Sequence, residues 1–268
     1  MPQKGSAHHI YPLYFRKMSS PEVGEAVKTV KMVIIPIGSI EPHGPHLPLD
    51  TDLTTIEYLA EKSVLEVRKR ISKPVAIIAP SLSYGVTLEM DWPGHVFLRP
   101  NTLIELINDI GNSFTKIGFK YVVFLNGCGG NIDTINVAIN IMKSNWREKG
   151  QFISIGSVWA NPEGISRDSG PGGVGHACEV ETSIELFLDD EHVHMEKAVN
   201  EHMRHPSPLI SLDFDSIPPF NWPVHFSCMT TSGVIGDAKC ATAEKGKKIL
   251  DANIDRIAKI LLHLDGLP

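Results

Sequence analysis

"GSIEPHGPHLPLDTD", residues 38–52, holds two histidines, one glutamate and two aspartates among prolines and glycines. Such a stretch can be neither a long helix nor a strand. Its flanks define what it connects. Before it runs "MVIIPIG" (32–38), a short apolar segment ending in glycine, which suits a buried parallel strand. After it, residues 51–71 place Leu53, Ile56, Leu59, Ala60, Val64, Val67 and Ile71 at helical spacing. The stretch is therefore the loop of a strand–loop–helix unit.

The same alternation recurs. "SPEVGEAVKTV" (20–30) reads as a short helix with Ser20 available to cap and Pro21 at its first position. "PVAIIAPSLSYG" (74–85) is an apolar run that breaks into a loop. A helix over 101–118, a strand over 119–127, a helix over 131–148 and a strand over 151–160 follow. Residues 178–190 start a helix with acids near its N-terminus, and 242–264 close the chain as a helix. Residues 207–235 are rich in proline, serine and aromatics and show no period. Strands alternating with helices predict an α/β fold with a mostly parallel sheet covered on both faces. Ligands of such sheets bind at the carboxyl ends of strands. The polar clusters at 38–52, 126–131 and 160–176 each follow a predicted strand, so they are expected to converge.

Composition sets the outer bounds. The 268 residues carry a net charge of −6, which argues against a general nucleic-acid binder. No apolar run reaches the ~18 residues of a membrane helix, and the N-terminus lacks a signal-peptide core. The four cysteines form no CxxC pair. A cytoplasmic protein with free thiols, organised as one domain over 1–268, is the expectation.

Four segments could carry chemistry. Glu41 and His43 are two apart, so an extended backbone points both side chains the same way. Asp52 follows at the start of the next helix, and together they are a donor set for Zn²⁺, Mn²⁺ or Fe²⁺. A polar loop with capping residues is the bland alternative, with His46 only supporting. "LNGCGGN" (125–131) is a glycine turn carrying Cys128, which is a metal thiolate, a nucleophile or a small buried hydrophobe. "GHACEVETS" (175–183) crowds His176, Glu179 and Glu181 at a helix start. The two glutamates do not share a helical face, so only one need enter a site. "YGVTLEMDWPGH" (84–95) shapes a pocket or a surface loop anchored by Trp92. Trp92, His95, Trp159 and Asn131 are the substrate-binding candidates.

Taken in order, these segments and "SGVIGDAKCATAEKG" (232–246) resemble the creatininase (creatinine amidohydrolase) family. That pattern runs E-x-H-G-x-H-L-P-x-x-T-D, then Y-G…F-P-G-T, N-G-H-G-G-N, H-A-G-E-x-E-T-S and G-V-x-G-D-P…A-T-A-E-K-G. The resemblance covers about residues 18–262. It implies a three-layer α/β/α sandwich and a homo-oligomer, hexameric or dimer-based. It also implies one or two divalent ions, zinc foremost, held by Glu41, His43 and a bridging Asp52. Cys128 replaces the family's histidine ligand, and Gly130 stands where some members have glutamate. Glu181 is the candidate for that missing carboxylate. His176, assisted by Glu179, is the implied acid/base. Cys178 replaces a glycine, and Met90 and His95 also depart from the pattern. The expected reaction is hydrolysis of a C–N bond in a small cyclic amide or formamide. Alternatives are ring opening of a cyclic ketone or polyol-derived compound, a non-catalytic ligand binder, and a cysteine-nucleophile hydrolase.

Overall fold

The computed structural model describes residues 11–87, 90–143, 150–156, 166–205, 207, 209 and 222–267. Four parallel strands form the central sheet: β1 (Met32–Ile37), β2 (Ala76–Ile78), β3 (Tyr121–Asn126) and β4 (Gln151–Ile155), in the order β2-β1-β3-β4. In register, Met32 pairs with Ala76 on one side and Tyr121 on the other, and Tyr121 with Gln151. The sequence of β1 explains its central place. Every residue is apolar and every residue is buried. Pro36 has no N–H to donate, but its carbonyl accepts from Leu82, beyond the end of β2, where no ladder donor is needed.

Side chains alternate between two cores, as the strand period requires. Met32, Ile34, Tyr121, Val123 and Leu125 pack on one face against α2 (Thr51–Ile71) and the C-terminal helix Ala243–Gly266. Val33, Ile35, Ile37, Val122 and Phe124 pack on the other face with Leu103, Ile107 and Phe114 of α3 (Pro100–Ile117) and Ile135 and Ala138 of α4 (Ile132–Met142). The result is the three-layer α/β/α sandwich that the sequence predicted.

The helices match the expected segments where they are described; the helix expected over 131–148 runs from Ile132 to Met142, and residues 144–148 of that expectation lie outside the described residues. The first helix, α1 (Ser20–Ala26), carries a capping box of Ser19 with Glu22, so Ser19 and not Ser20 is the cap. It gives way after Ala26 to turn bonds such as Val30 N–H to the Ala26 carbonyl. The later elements are α5 (Glu179–Leu188), the one-turn α6 (Phe226–Met229) and α7 (Ala243–Gly266). Helices α5 and α7 pack closely, and a Cβ at Gly246 would lie 1.8 Å from the Ser183 carbonyl oxygen. A two-stranded antiparallel ribbon, β5 (Asn200–Glu201) and β6 (Gly236–Asp237), sits apart from the main sheet. No helix among the described residues is long and apolar enough to cross a membrane.

Two glycines set the distance between sheet and helix. A Cβ on Gly38, just past β1, would lie 2.7 Å from the Leu53 Cα. A Cβ on Gly127, just past β3, would lie 2.8 Å from the Asp52 carbonyl oxygen. With no side chains there, the first turn of α2 rests directly on the two strand ends. That contact carries Asp52 to the place where the loops after β1 and β3 meet.

Candidate active site

The site is built from four segments. The loop after β1 supplies Glu41 and His43, both buried. Helix α2 supplies Asp52 from its first turn. The turn after β3 supplies Cys128, which Asn126 fixes from both sides. Its Nδ2 donates to the Cys128 carbonyl at 2.7 Å, and its Oδ1 accepts from the Cys128 N–H at 3.2 Å. The segment leading into α5 supplies His176 and Glu181.

Their functional atoms meet. Three groups, each with ligand atoms within 4.8 Å of one another, occur among the described residues: Glu41–Asp52–Cys128, His43–Asp52–Glu181 and Glu41–His43–His176. Asp52 belongs to the first two and so lies between them. His43 Nε2 is 3.4 Å from Asp52 Oδ1 and 3.9 Å from Glu41 Oε1. Cys128 Sγ is 3.8 Å from Glu41 Oε1.

Backbone carbonyls fix the histidine tautomers. A carbonyl only accepts, so His43 must carry its proton on Nδ1, which donates to the Glu41 carbonyl at 3.1 Å. Nε2 then faces the carboxylates and is the nitrogen that could bind an ion on losing its proton. His176 is the reverse: Nε2–H donates to the Pro42 carbonyl at 2.8 Å, so Nδ1 is open, 3.9 Å from Glu41 Oε1. This is the posture of a metal-ligating imidazole, oriented by a hydrogen bond at its far nitrogen.

The electrostatics are those of a crowded, dry cluster. Burial and the neighbouring Asp52 hold Glu41 well above the usual carboxylate range. Burial, with Asp52 adding to it, pushes Glu181 up to about 7. Burial alone would lower His43, but Asp52, Glu181 and Glu41 override it and push it up to about 10. Burial and the charge of His43 press His176 well below its ordinary value. Burial, then Asp52 and Glu41, raise the Cys128 thiol.

Does this donor set fit a divalent cation? Glu41 Oε2, His43 Nε2 and Asp52 Oδ2 are buried and make no hydrogen bond. Three orphaned polar atoms within one cluster cost several kcal/mol, about 1–3 each, unless something binds them. Carboxylate, imidazole and thiolate are together a set that suits zinc and its neighbours. The residues fit a metal.

The remaining candidates are placed differently. Glu179 does not join the cluster. Its Oε1 accepts from Asp168 N–H at 3.0 Å and from Lys245, and its Oε2 accepts from Ser169 N–H at 2.9 Å. Its partnership with His176 is therefore corrected: Glu179 holds the 168–169 loop against α7. Asn131, expected to meet substrate, is also spent on the protein. Its Oδ1 accepts from Val86 N–H at 2.7 Å, and its Nδ2 donates to the Gly38 carbonyl and to Asn126 Oδ1, each at 3.2 Å. It clamps three loops. His95 pairs with the Thr87 hydroxyl and stacks on Phe97, outside the three donor groups. Trp159 lies outside the described residues.

Trp92 does reach the site's wall. It packs edge-on against Phe226, with ring centroids 5.9 Å apart, and Phe226 packs edge-on against His176 at 5.2 Å. Met90, Met203, Met229 and Ile235 complete this apolar cluster. Sequence reasoning missed Phe226. It lies in the aperiodic 207–235 stretch, where only its aromatic content was a signal. His46 is a supporting residue: its Nε2 bonds the Thr182 hydroxyl at 2.9 Å, and Thr182 in turn donates to the Ala177 carbonyl at 3.4 Å. Ala177 itself has φ +50°, and its N–H donates to Glu181 Oε2. An alanine in the left-handed region is strained by roughly 1–2 kcal/mol, and here it immediately follows His176.

Known proteins decide the family. The creatininase model, described as creatinine amidohydrolase, matches residues 16–261. The chain belongs to the creatininase family. Similar proteins include the mycofactocin precursor peptide peptidase of Mycobacterium tuberculosis, 29% identical over 273 residues and covering 98% of each chain. Another is the 3-dehydro-scyllo-inosose hydrolase of Thermotoga maritima, 27% identical over 262 residues, covering 93% of this chain and 82% of that one. Among solved structures, one described as "Creatininase Mn" superposes with a TM-score of 0.75 at 21% identity, covering 96% of this chain and 100% of the other. That likeness establishes the shared fold. The named relatives are hydrolases, and the chain carries a candidate metal site of its own.

Proposed function

We propose that the protein is a metal-dependent hydrolase that cleaves the C–N bond of an amide, within the class of small cyclic amides and formamides that the resemblance implies. The observation that carries this reading is the pair of donor groups sharing Asp52, whose members include two buried carboxylate oxygens and an imidazole nitrogen that make no hydrogen bond. Glu41, Asp52 and Cys128 would hold one divalent ion, and His43, Asp52 and Glu181 a second. Zinc suits the thiolate-containing set best, with Mn²⁺ and Fe²⁺ also within the range of these donors. Bound there, such ions polarise a carbonyl and lower the pKa of water toward ~7, which makes a nucleophile available at neutral pH.

The chain's own groups do the rest. His176 is neutral near pH 7, with its open Nδ1 beside Glu41. It takes the proton of the attacking water at Nδ1 and returns it to the departing nitrogen, a role worth about 10²–10⁴-fold in rate. The Pro42 carbonyl holds the ring so that only Nδ1 can act. Phe226 and Trp92 close one side with apolar surface, which excludes water and favours an apolar or planar group next to the scissile bond.

The Thermotoga relative favours a second reading, hydrolytic opening of a cyclic polyol ketone by the same groups. The test is turnover of the metal-loaded protein on a panel of lactams, formamides, short peptides and cyclic polyol ketones. Cleavage of amides alone supports the C–N reading, and cleavage of ketones alone replaces it. Inactivity of metal-loaded protein on every member of the panel rejects both.

A further inference from the structure

The two donor groups that share Asp52 are not chemically alike. One contains a sulfur, Cys128, beside two carboxylates; the other contains an imidazole, His43, beside two carboxylates. The sulfur is not alone: Glu41 and Asp52, each 4% exposed, belong to the same buried cluster, and each has a buried carboxylate oxygen, Oε2 and Oδ2, that makes no hydrogen bond. The turn that holds Cys128 is pinned on both its N–H and its carbonyl by Asn126, so the sulfur is presented by a fixed backbone. The other buried cysteine, Cys178, joins none of the donor groups.

We infer that the centre is asymmetric, with a thiophilic ion of the zinc class at Glu41–Asp52–Cys128 and an exchangeable, harder ion such as Mn²⁺ at His43–Asp52–Glu181. Thiolate selects zinc, cobalt and cadmium over manganese, because the soft sulfur–metal bond gains little with a hard cation. The carboxylate and imidazole half lacks that discrimination beyond the general order of divalent affinities. Asp52 joins the two, so the ions differ in exchange while sharing one ligand. This rests on the reading that both groups hold metal, and it adds which ion each takes and why Cys128 stands where the family pattern has histidine.

Cobalt and manganese test it on the whole chain. Metal-free protein is titrated with Co²⁺ and followed by absorption. A thiolate-to-cobalt charge-transfer band in the near ultraviolet is expected to saturate at one equivalent, and Cys128→Ser and Cys128→His should both abolish it. The histidine variant should still bind cobalt, which separates a lost sulfur ligand from a collapsed site. In parallel, zinc-loaded protein is dialysed against a large excess of Mn²⁺ and analysed for both elements. About one zinc per chain should stay and about one should be replaced, and C128S should retain several-fold less zinc.

Cobalt bound without a sulfur band, or both zinc ions exchanging alike, overturns the asymmetry and leaves the hydrolase reading intact. A protein that binds neither ion overturns both.

Discussion

His176 stacks on His43, ring centroids 4.3 Å apart and planes inclined by 30°. One ring turns its open nitrogen toward Asp52 and the other toward Glu41. The same pair is thus a ligand beside an acid/base, or two ligands, since Glu41, His43 and His176 also lie within ligating reach of one another. Replacing His176 by alanine separates these roles. Turnover is expected to fall about 10²–10⁴-fold with metal content unchanged. Elemental analysis beside kinetics checks this, and equal loss of metal and turnover would make His176 a ligand.

Asp52 is common to the Glu41–Asp52–Cys128 and His43–Asp52–Glu181 groups, whereas Glu41 joins only the first of these two and His43 only the second. Asp52→Asn should therefore remove both ions, and Glu41→Gln mainly one. Metal counts per chain after gel filtration distinguish the two patterns. Similar counts in both variants would place Asp52 outside the centre. Chelation should abolish turnover in the unmodified protein, with recovery on adding back metal.

The buried acids and His43 make the metal-free protein sensitive to alkaline pH. Burial raises Glu181 to about 7 and Glu185 to about 8, and the carboxylates push His43 up to about 10. Each binds more proton in the folded chain than in the unfolded one above its unfolded value. Stability therefore falls as pH rises from about 6.5 to 10, with the Glu181 share gone by about 7, the Glu185 share by about 8 and the His43 share by about 10, at about 1.4 kcal/mol per pH unit for each excess bound proton. His46 and His176, both depressed, are neutral in either state across most of this window and contribute little. Bound metal displaces the extra protons, so the loaded protein should show a higher and flatter profile. Thermal unfolding with and without chelator at several pH values reads this out. Parallel profiles would contradict it.

Glu179 spends both carboxylate oxygens on the fold. Two loop amides and the Lys245 ammonium hold its carboxyl below the ordinary range, against the opposing effect of burial. Glu179→Gln should cost about 1–3 kcal/mol of stability through its buried charge-assisted bonds. Metal content and the pH dependence of turnover should be unaffected. A shifted pH–rate profile in the folded variant would return Glu179 to a role in proton transfer.

Ala177 offers a contrary test. Glycine adopts φ +50° freely, so Ala177→Gly relieves strain but adds freedom to the unfolded chain, and stability should change by less than about 1 kcal/mol. Turnover should drop more than metal affinity, because the strained link fixes the neighbouring imidazole. Thermal unfolding and kinetics on the one variant decide it.

Much of this was legible in the residues. The 51–71 period gave helix α2 to the residue, because its apolar positions face one core over a full 21 residues. The convergence of Glu41, His43, Asp52 and Cys128 follows from strands whose carboxyl ends lie side by side. The glutamates at 179 and 181 show where reading stops. Their spacing told that one would turn away, but which one depended on Lys245, 66 positions later. The bonds of Asn131 were hidden for the same reason, since its partners at Gly38 and Val86 are remote in the chain. Phe226 was hidden because the described residues after it, 230–232, are held by side-chain bonds from elsewhere in the chain. Glu201, for example, accepts from the Thr231 and Ser232 amides and from the Thr230 hydroxyl, and such bonds leave no period in the sequence.

The bare backbone at Gly38 and Gly127 works as a spacer gauge of zero thickness. Glu41 and Cys128 hang from the sheet side of that gap and Asp52 from the helix side, so the spread of the donors is set by how closely two pieces of main chain can touch. A single methyl inserted at either position would wedge the helix outward and carry Asp52 away from Glu41 and Cys128.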